Sequence, residues 1–290
     1  MKKAFTIMEL LVAVGLLAVV LAAVGIVFRY SIDAQRTAAS TAEVMHTLRA
    51  ITDQINIDFT GLQKDGYLVL WSDDSNSAVY FFSTGDFQSW YDSSIKSNTA
   101  RIYLGPAADD PNNLALDMRL LTPGYIPTPG SKLDYNDVSF AQCKADINNL
   151  EDPYTVLSTD RPGINMAYDS NDARRLLAQH VGSFKIEWTY GWVHSGASGQ
   201  IVWWGFDNPD TNDLRSDGNL ERSGVLVPAA EILLIANAIN ETKGPPYTVQ
   251  WNPANQQYWP KALKFTFTLY DSRGLFKHGR KFEHIVYIGQ

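Results

Sequence analysis

Residues 10–28, LLVAVGLLAVVLAAVGIVF, are 19 consecutive positions without a charged or polar side chain. A helix of that length, at ~1.5 Å per residue, covers the ~30 Å hydrocarbon core of a bilayer. A segment apolar on every face needs lipid or a fully enclosed interior, so the run predicts a membrane-crossing helix at the start of the chain. Glu9 stands at its threshold. A carboxylate carried to the helix-centre environment costs on the order of 2.5 to 3.5 kcal/mol, which makes Glu9 the first candidate for a task of its own.

The pattern continues beyond the apolar run through SIDAQRTAASTAEVMHTLRAITDQINIDFTGL, with no proline and no glycine before Gly61. Val44, Leu48, Ile51, Ile55, Phe59 and Leu62 recur at steps of three and four, which aligns them on one face of a helix, while Arg36, Glu43, Arg49 and Asp53 fall off it. One helix over residues 5–63 is therefore expected, half in lipid and half amphipathic, with the stripe packed on the chain's own globular part. A conventional cleavable signal would use the small residues around Val20-Leu21-Ala22. It leaves Phe5, Thr6 and Glu9 without a role.

The remaining sequence reads as short strands. YLVLW and AVYFF flank an Asp, Asn and Ser loop and predict a hairpin, and ARIYL and LALDMRLL predict further strands. SFKIEWTY alternates, with Phe184, Ile186, Trp188 and Tyr190 on one face and Lys185, Glu187 and Thr189 on the other. Residues 200–206 are expected to return against it. Residues 228–240 fit either a short helix starting at Pro228 or a buried strand. KALKFTFTLY, the turn Asp271-Ser-Arg-Gly274 and RKFEHIVYIG predict a terminal antiparallel hairpin. The fold class that results is α+β, a long N-terminal helix on an antiparallel β-sheet head.

The chain has 290 residues, a formal net charge of -7 and a sequence pI near 5.2. Without clustered Lys and Arg to neutralise phosphates, no nucleic-acid partner is expected. Lys2 and Lys3 precede the apolar run and Arg29 follows it, a bias toward a cytoplasmic N-terminus with the long remainder across the membrane. The single cysteine, Cys143, has no intrachain partner, so the head must be held by its core.

Motifs for chemistry are sparse. The acidic loop at 207–221, DNPDTNDLRSDGNLE, invites a calcium reading, but an EF-hand register on Gly218 puts Arg215 at a ligand position and Gly224 at the closing glutamate position. It reads as a solvated loop, with a calcium loop outside the EF-hand pattern as the alternative. His46, His180, His194, His278 and His284 lack metal spacing, so neither metal nor cofactor is expected. Ser93-Ser-Ile-Lys96 matches S-x-x-K without its companion motifs. Trp188, Trp192, Trp203 and Trp204 could stack on sugars in a groove, but Trp188 lies on the apolar face of a strand and fits core packing better. Trp203 and Trp204 must point to opposite faces of an extended segment.

The opening AFTIMELLVAV resembles the class III prepilin signal: a short basic leader, a cut before Phe, and Glu at the fifth mature position. On that match the cut falls between Ala4 and Phe5, Phe5 carries the N-methylation, and Glu9 is the family's assembly residue. Most members have Gly before the cut, where this chain has Ala4. The segment LRAITDQINIDFTGL, then LLAQHVGSFKIEWTY, YWPKALKFTFTLYDSRG and FEHIVYIG, is similar to the order found in J-type minor pseudopilins of type II secretion systems. Those pieces cover about half of the chain, and the head is longer than the group's norm, with the surplus expected at residues 105–163 and 205–260.

The resemblance implies a leader at 1–4, a transmembrane half-helix at 5–28, an amphipathic half at 29–63 and a periplasmic head at 64–290. It implies a structural subunit, not an enzyme, of the periplasmic pseudopilus, near its tip, supporting filament initiation and protein export from the inner membrane. Its partners would be other minor pseudopilins, the major pseudopilin and the prepilin peptidase. The alternatives are a minor pilin of a type IV pilus in adhesion or DNA uptake, and an exported carbohydrate-binding protein or enzyme with an ordinary signal peptide.

Overall fold

The computed structural model describes residues 7–73, 76–125, 134–137, 139–143, 162, 172–195, 200–205, 214, 220–242 and 247–288. Helix α1 is unbroken from Ile7 to Thr60, 54 residues, or roughly 80 Å at ~1.5 Å per residue. Its two halves have different surroundings. Residues 7–38 are exposed throughout, and the apolar span contains no buried residue. From Ser40 onward one face is covered: Val44, Ile51, Ile55 and Phe59 are buried, and Leu48 packs on the same core while partly exposed.

The helix stops at Thr60, short of the expected 63. A Cβ on Gly61 would lie 2.2 Å from the Thr84 carbonyl oxygen, so only glycine lets the backbone approach there. The chain then leaves the helix and joins a strand edge: Thr84 N donates to Gly61 O at 2.7 Å and Gln63 N donates to Phe82 O at 2.9 Å. Leu62, expected on the helical stripe, sits beyond the helix in a bridge to Ser83 and still packs against the core.

The head is built on two antiparallel sheets. In the first, β1 (Leu68–Ser72), β2 (Ser77–Gln88), β3 (Lys96–Pro106) and β4 (Leu114–Leu121) form a meander, with Leu70 opposite Val79 and Tyr80 opposite Tyr103. Strands β5 (Tyr135–Asn136) and β6 (Leu176–Ala178) share the far edge of β4, β5 in parallel and β6 antiparallel, and β11 (Tyr247–Trp251) pairs with the outer edge of β1. The second sheet places β12 (Ala262–Leu269) between β7 (Val181–Thr189) and β13 (Arg280–Tyr287). A small third sheet joins β8 (Val193–His194), β9 (Leu220–Arg222) and β10 (Val225–Leu226).

The α1 stripe fills the space between the two larger sheets. Phe59 stacks on Phe81 of β2 and meets Phe265 of β12 edge-on, and Phe184 and Phe267 continue this aromatic layer. Polar contacts rim the junction. Glu43 accepts the Ser272 N–H at 3.0 Å, Arg280 Nη2 donates to Thr41 Oγ1 at 3.4 Å, and His284 Nε2 meets Asn56 Oδ1 at 2.9 Å. The first sheet is buried on its other face too, where Tyr67, Val69, Trp71, Tyr80 and Phe82 pack with Phe140 and Cys143.

Residues 229–238 resolve the open assignment as a helix, α2 (Ala229–Ala238), with Pro228 at its N-cap. The terminal hairpin turns where Asp271 accepts the N–H groups of Leu275 and Phe276, and Gly274 takes a φ of +68°. Thr189, expected on the solvent face of β7, is buried, because the Trp203–Trp204 segment folds over it and its hydroxyl donates to Val202 O at 2.6 Å.

Candidate functional site

The exposed half of α1 presents a continuous apolar surface. Leu10, Leu11, Val12, Leu16, Leu17, Val19, Leu21, Val27 and Phe28 are each more than half exposed. Such an all-round apolar cylinder, contiguous over the length of a bilayer core, is suited to lipid or to neighbouring apolar helices. Glu9 lies in the first turn of the described helix, with Met8, Val12, Ala13 and Leu16 around it in a shallow surface depression. Phe5 would sit one turn earlier on the same face by its spacing, but Ala4 and Phe5 lie outside the described residues. The packing residues Val44, Leu48, Ile51, Ile55, Phe59 and Leu62 are far along the helix from Glu9 and belong to the head's core.

The tryptophans lie inside the head. Trp188, Trp204 and Trp251 are fully buried, with the Trp188 ring 4.9 Å from Trp204 and 5.2 Å from Trp251, and Trp192 packs on Tyr190 and Trp204. Trp188 and Trp204 also exchange backbone hydrogen bonds, both 2.8 Å, which fixes the return of residues 200–205 against β7. Adjacent Trp203 faces the other way, its ring 4.9 Å from the Lys264 ammonium. No sugar-stacking platform is formed by Trp188, Trp192 or Trp204.

A polar chain runs through this aromatic core. Trp188 Nε1 donates to the Tyr247 hydroxyl at 2.9 Å, that hydroxyl donates to Glu241 Oε1 at 3.0 Å, and the Leu214 N–H donates to the same oxygen at 3.0 Å. Burial, and behind it the Glu241 charge, pushes the Tyr247 phenol well above its ordinary pKa. The network therefore holds its protons and ties residue 214 of the acidic loop to the core; most of the 207–221 loop lies outside the described residues. Among the described residues no group of three His, Cys, Asp or Glu is placed to hold a metal ion. Lys96 of the S-x-x-K pattern opens β3 and is exposed.

Two acidic groups were not legible as sites. Glu241 closes the network just described. Asp58 lies on the buried side of α1, beside the stripe residue Phe59, where its Oδ1 accepts from Gln54 Nε2 at 2.9 Å. Far along α1 from the apolar run, burial pushes its carboxyl up to about 6, with the Gln54 contact pulling the other way. The only signal for it in the sequence was the Gln54–Asp58 spacing of four.

No known protein-family model matches this chain, and neither does any curated protein or solved structure.

Proposed function

We propose that the chain is a membrane-anchored, pilin-like subunit that assembles into a short periplasmic filament, on the pattern of J-type minor pseudopilins of type II secretion systems. The observation that carries this reading is the continuity of α1: one unbroken helix carries the uninterrupted apolar run of residues 10–28, stays exposed as far as residue 38 and becomes a packing element of the head from Ser40 onward. A cleavable signal has no need to be rigidly continuous with the fold it exports. A subunit that must transmit the position of its membrane helix to its head does.

In this reading a prepilin peptidase cuts between Ala4 and Phe5, the new amine of Phe5 is methylated, and the head lies in the periplasm. Glu9 then serves as an assembly contact, meeting a Phe5 amine in its own helix or in a staggered neighbour. Two opposite charges meeting in low dielectric offset each other's desolvation, and between subunits they also set the stagger. Other minor pseudopilins and the major pseudopilin are the partners. The test is site-specific crosslinking in the membrane of the native host. Glu9→Leu is expected to keep export and head stability while crosslinking to the other filament subunits and secretion both fall; unchanged crosslinking and secretion would refute the assembly role.

A further inference from the structure

Between α1 and the face of β3 and β4 lies a cleft of about 320 Å³, at the lower end of the range for small-molecule sites. One wall is apolar, with Ile102 of β3, Leu116 and Met118 of β4, and Leu176 and Leu177 of β6. Asp58 of α1 lines it at 7% exposure, and its Oδ2 is buried with no hydrogen-bond partner among the described residues. A carboxylate oxygen in such surroundings costs free energy until a donor or a cation meets it. Burial pushes this carboxyl up to about 6. At the rim the exposed Arg174 also lines the cleft, its Nη1 donating to the Trp90 carbonyl at 2.9 Å. The site thus has an anion inside, an aliphatic wall and a cation at its mouth.

We propose that this cleft binds a small aliphatic ω-amino acid, its ammonium on Asp58 Oδ2, its methylene chain along Leu116 and Met118, and its carboxylate toward Arg174. The order of charges selects the ligand class. A simple carboxylic acid brings repulsion to Asp58, an alkylamine leaves Arg174 unused, and a polar ligand wastes the apolar wall. This site is independent of the assembly role of Glu9, which lies at the opposite end of α1.

The test is isothermal titration of the full chain in lipid nanodiscs with 6-aminohexanoate, butylamine and hexanoate. Saturable binding of 6-aminohexanoate is expected, with butylamine weaker and hexanoate silent. Asp58→Asn is expected to weaken 6-aminohexanoate at least about tenfold, and Arg174→Gln to weaken 6-aminohexanoate while leaving butylamine unchanged. Leu116→Trp, which keeps both charges and fills the cleft, is expected to abolish binding of both. The proposal is overturned if wild-type protein shows no saturable binding, if folded Asp58→Asn binds as wild type does, or if folded Leu116→Trp retains binding.

Discussion

Phe59, near the end of the long helix, stacks on Phe81 of the first sheet with ring centroids 4.3 Å apart and planes 28° from parallel. This contact joins the long helix to the head. Phe59 also meets Phe265 at 5.6 Å, so its ring touches both large sheets. Phe59→Ala removes a buried aromatic that spans three elements and is expected to cost about 3–5 kcal/mol of head stability. Urea denaturation followed by tryptophan fluorescence would measure it, and a loss below about 1 kcal/mol would mean that the stripe is not a core element.

A fragment of residues 31–290 is expected to be soluble, monomeric and folded. Of the residues it lacks, the described ones, 7–30, are all exposed, whereas the stripe from Val44 to Phe59 is retained whole. Deletion through Leu62 would expose Phe81, Phe265 and their neighbours and should produce aggregation and lost thermal stability. A fully stable, monomeric product of that deeper deletion would assign the stripe to a partner instead.

Much of this junction could be read from the order of residues. Val44, Ile51, Ile55 and Phe59 announce themselves because apolar side chains at helical spacing have few other uses, and the alternation in β7 and in the β12–β13 hairpin is equally direct. What escaped were places where distant chain decides local fate. Gly61 ends the helix because Thr84 comes within reach, and Thr189 is buried because Trp203 and Trp204 fold over it. The apolar YLVLW run fits burial on both faces, but the covering residues Phe140 and Cys143 come from far along the chain. Asp58 was invisible as a site, since a lone acid beside a stripe usually faces water. Glu9 differs: its position at the edge of an uninterrupted apolar run is conspicuous in the sequence itself.

Asp58 should leave a signature in the pH dependence of stability. Its carboxyl moves from 3.8 to about 6 on folding because burial disfavours the anion; Arg174 is the other charged group lining its cleft. The folded chain therefore holds a proton that the unfolded chain has released, so the contribution from Asp58 is present below pH 4 and is lost as pH rises through 6. Wild type minus Asp58→Asn should fall by roughly 2 kcal/mol between pH 4 and 7 and be nearly level above that. Paired denaturation curves across this range measure the difference, and a profile flat from pH 4 to 7 would contradict the burial of this group.

The Trp188–Tyr247–Glu241 chain makes a separate prediction. Tyr247→Phe keeps the ring but removes the acceptor for Trp188 Nε1 and a donor to Glu241, both within the core. The expected loss is about 1–3 kcal/mol, with little change in the fold. Equilibrium unfolding of the 31–290 fragment would show it, and an unchanged midpoint would mean that the chain contributes nothing to stability.

In the proposed filament subunit the mature chain starts at Phe5, four residues before Glu9. Mass spectrometry of the mature protein, purified from the membrane of its native host, tests this directly. The predicted result is a chain starting at N-methylated Phe5 and continuing into the intact apolar run. A mature chain starting at Ala23, with Glu9 and most of the apolar run removed, would contradict it and make the protein an ordinary export product.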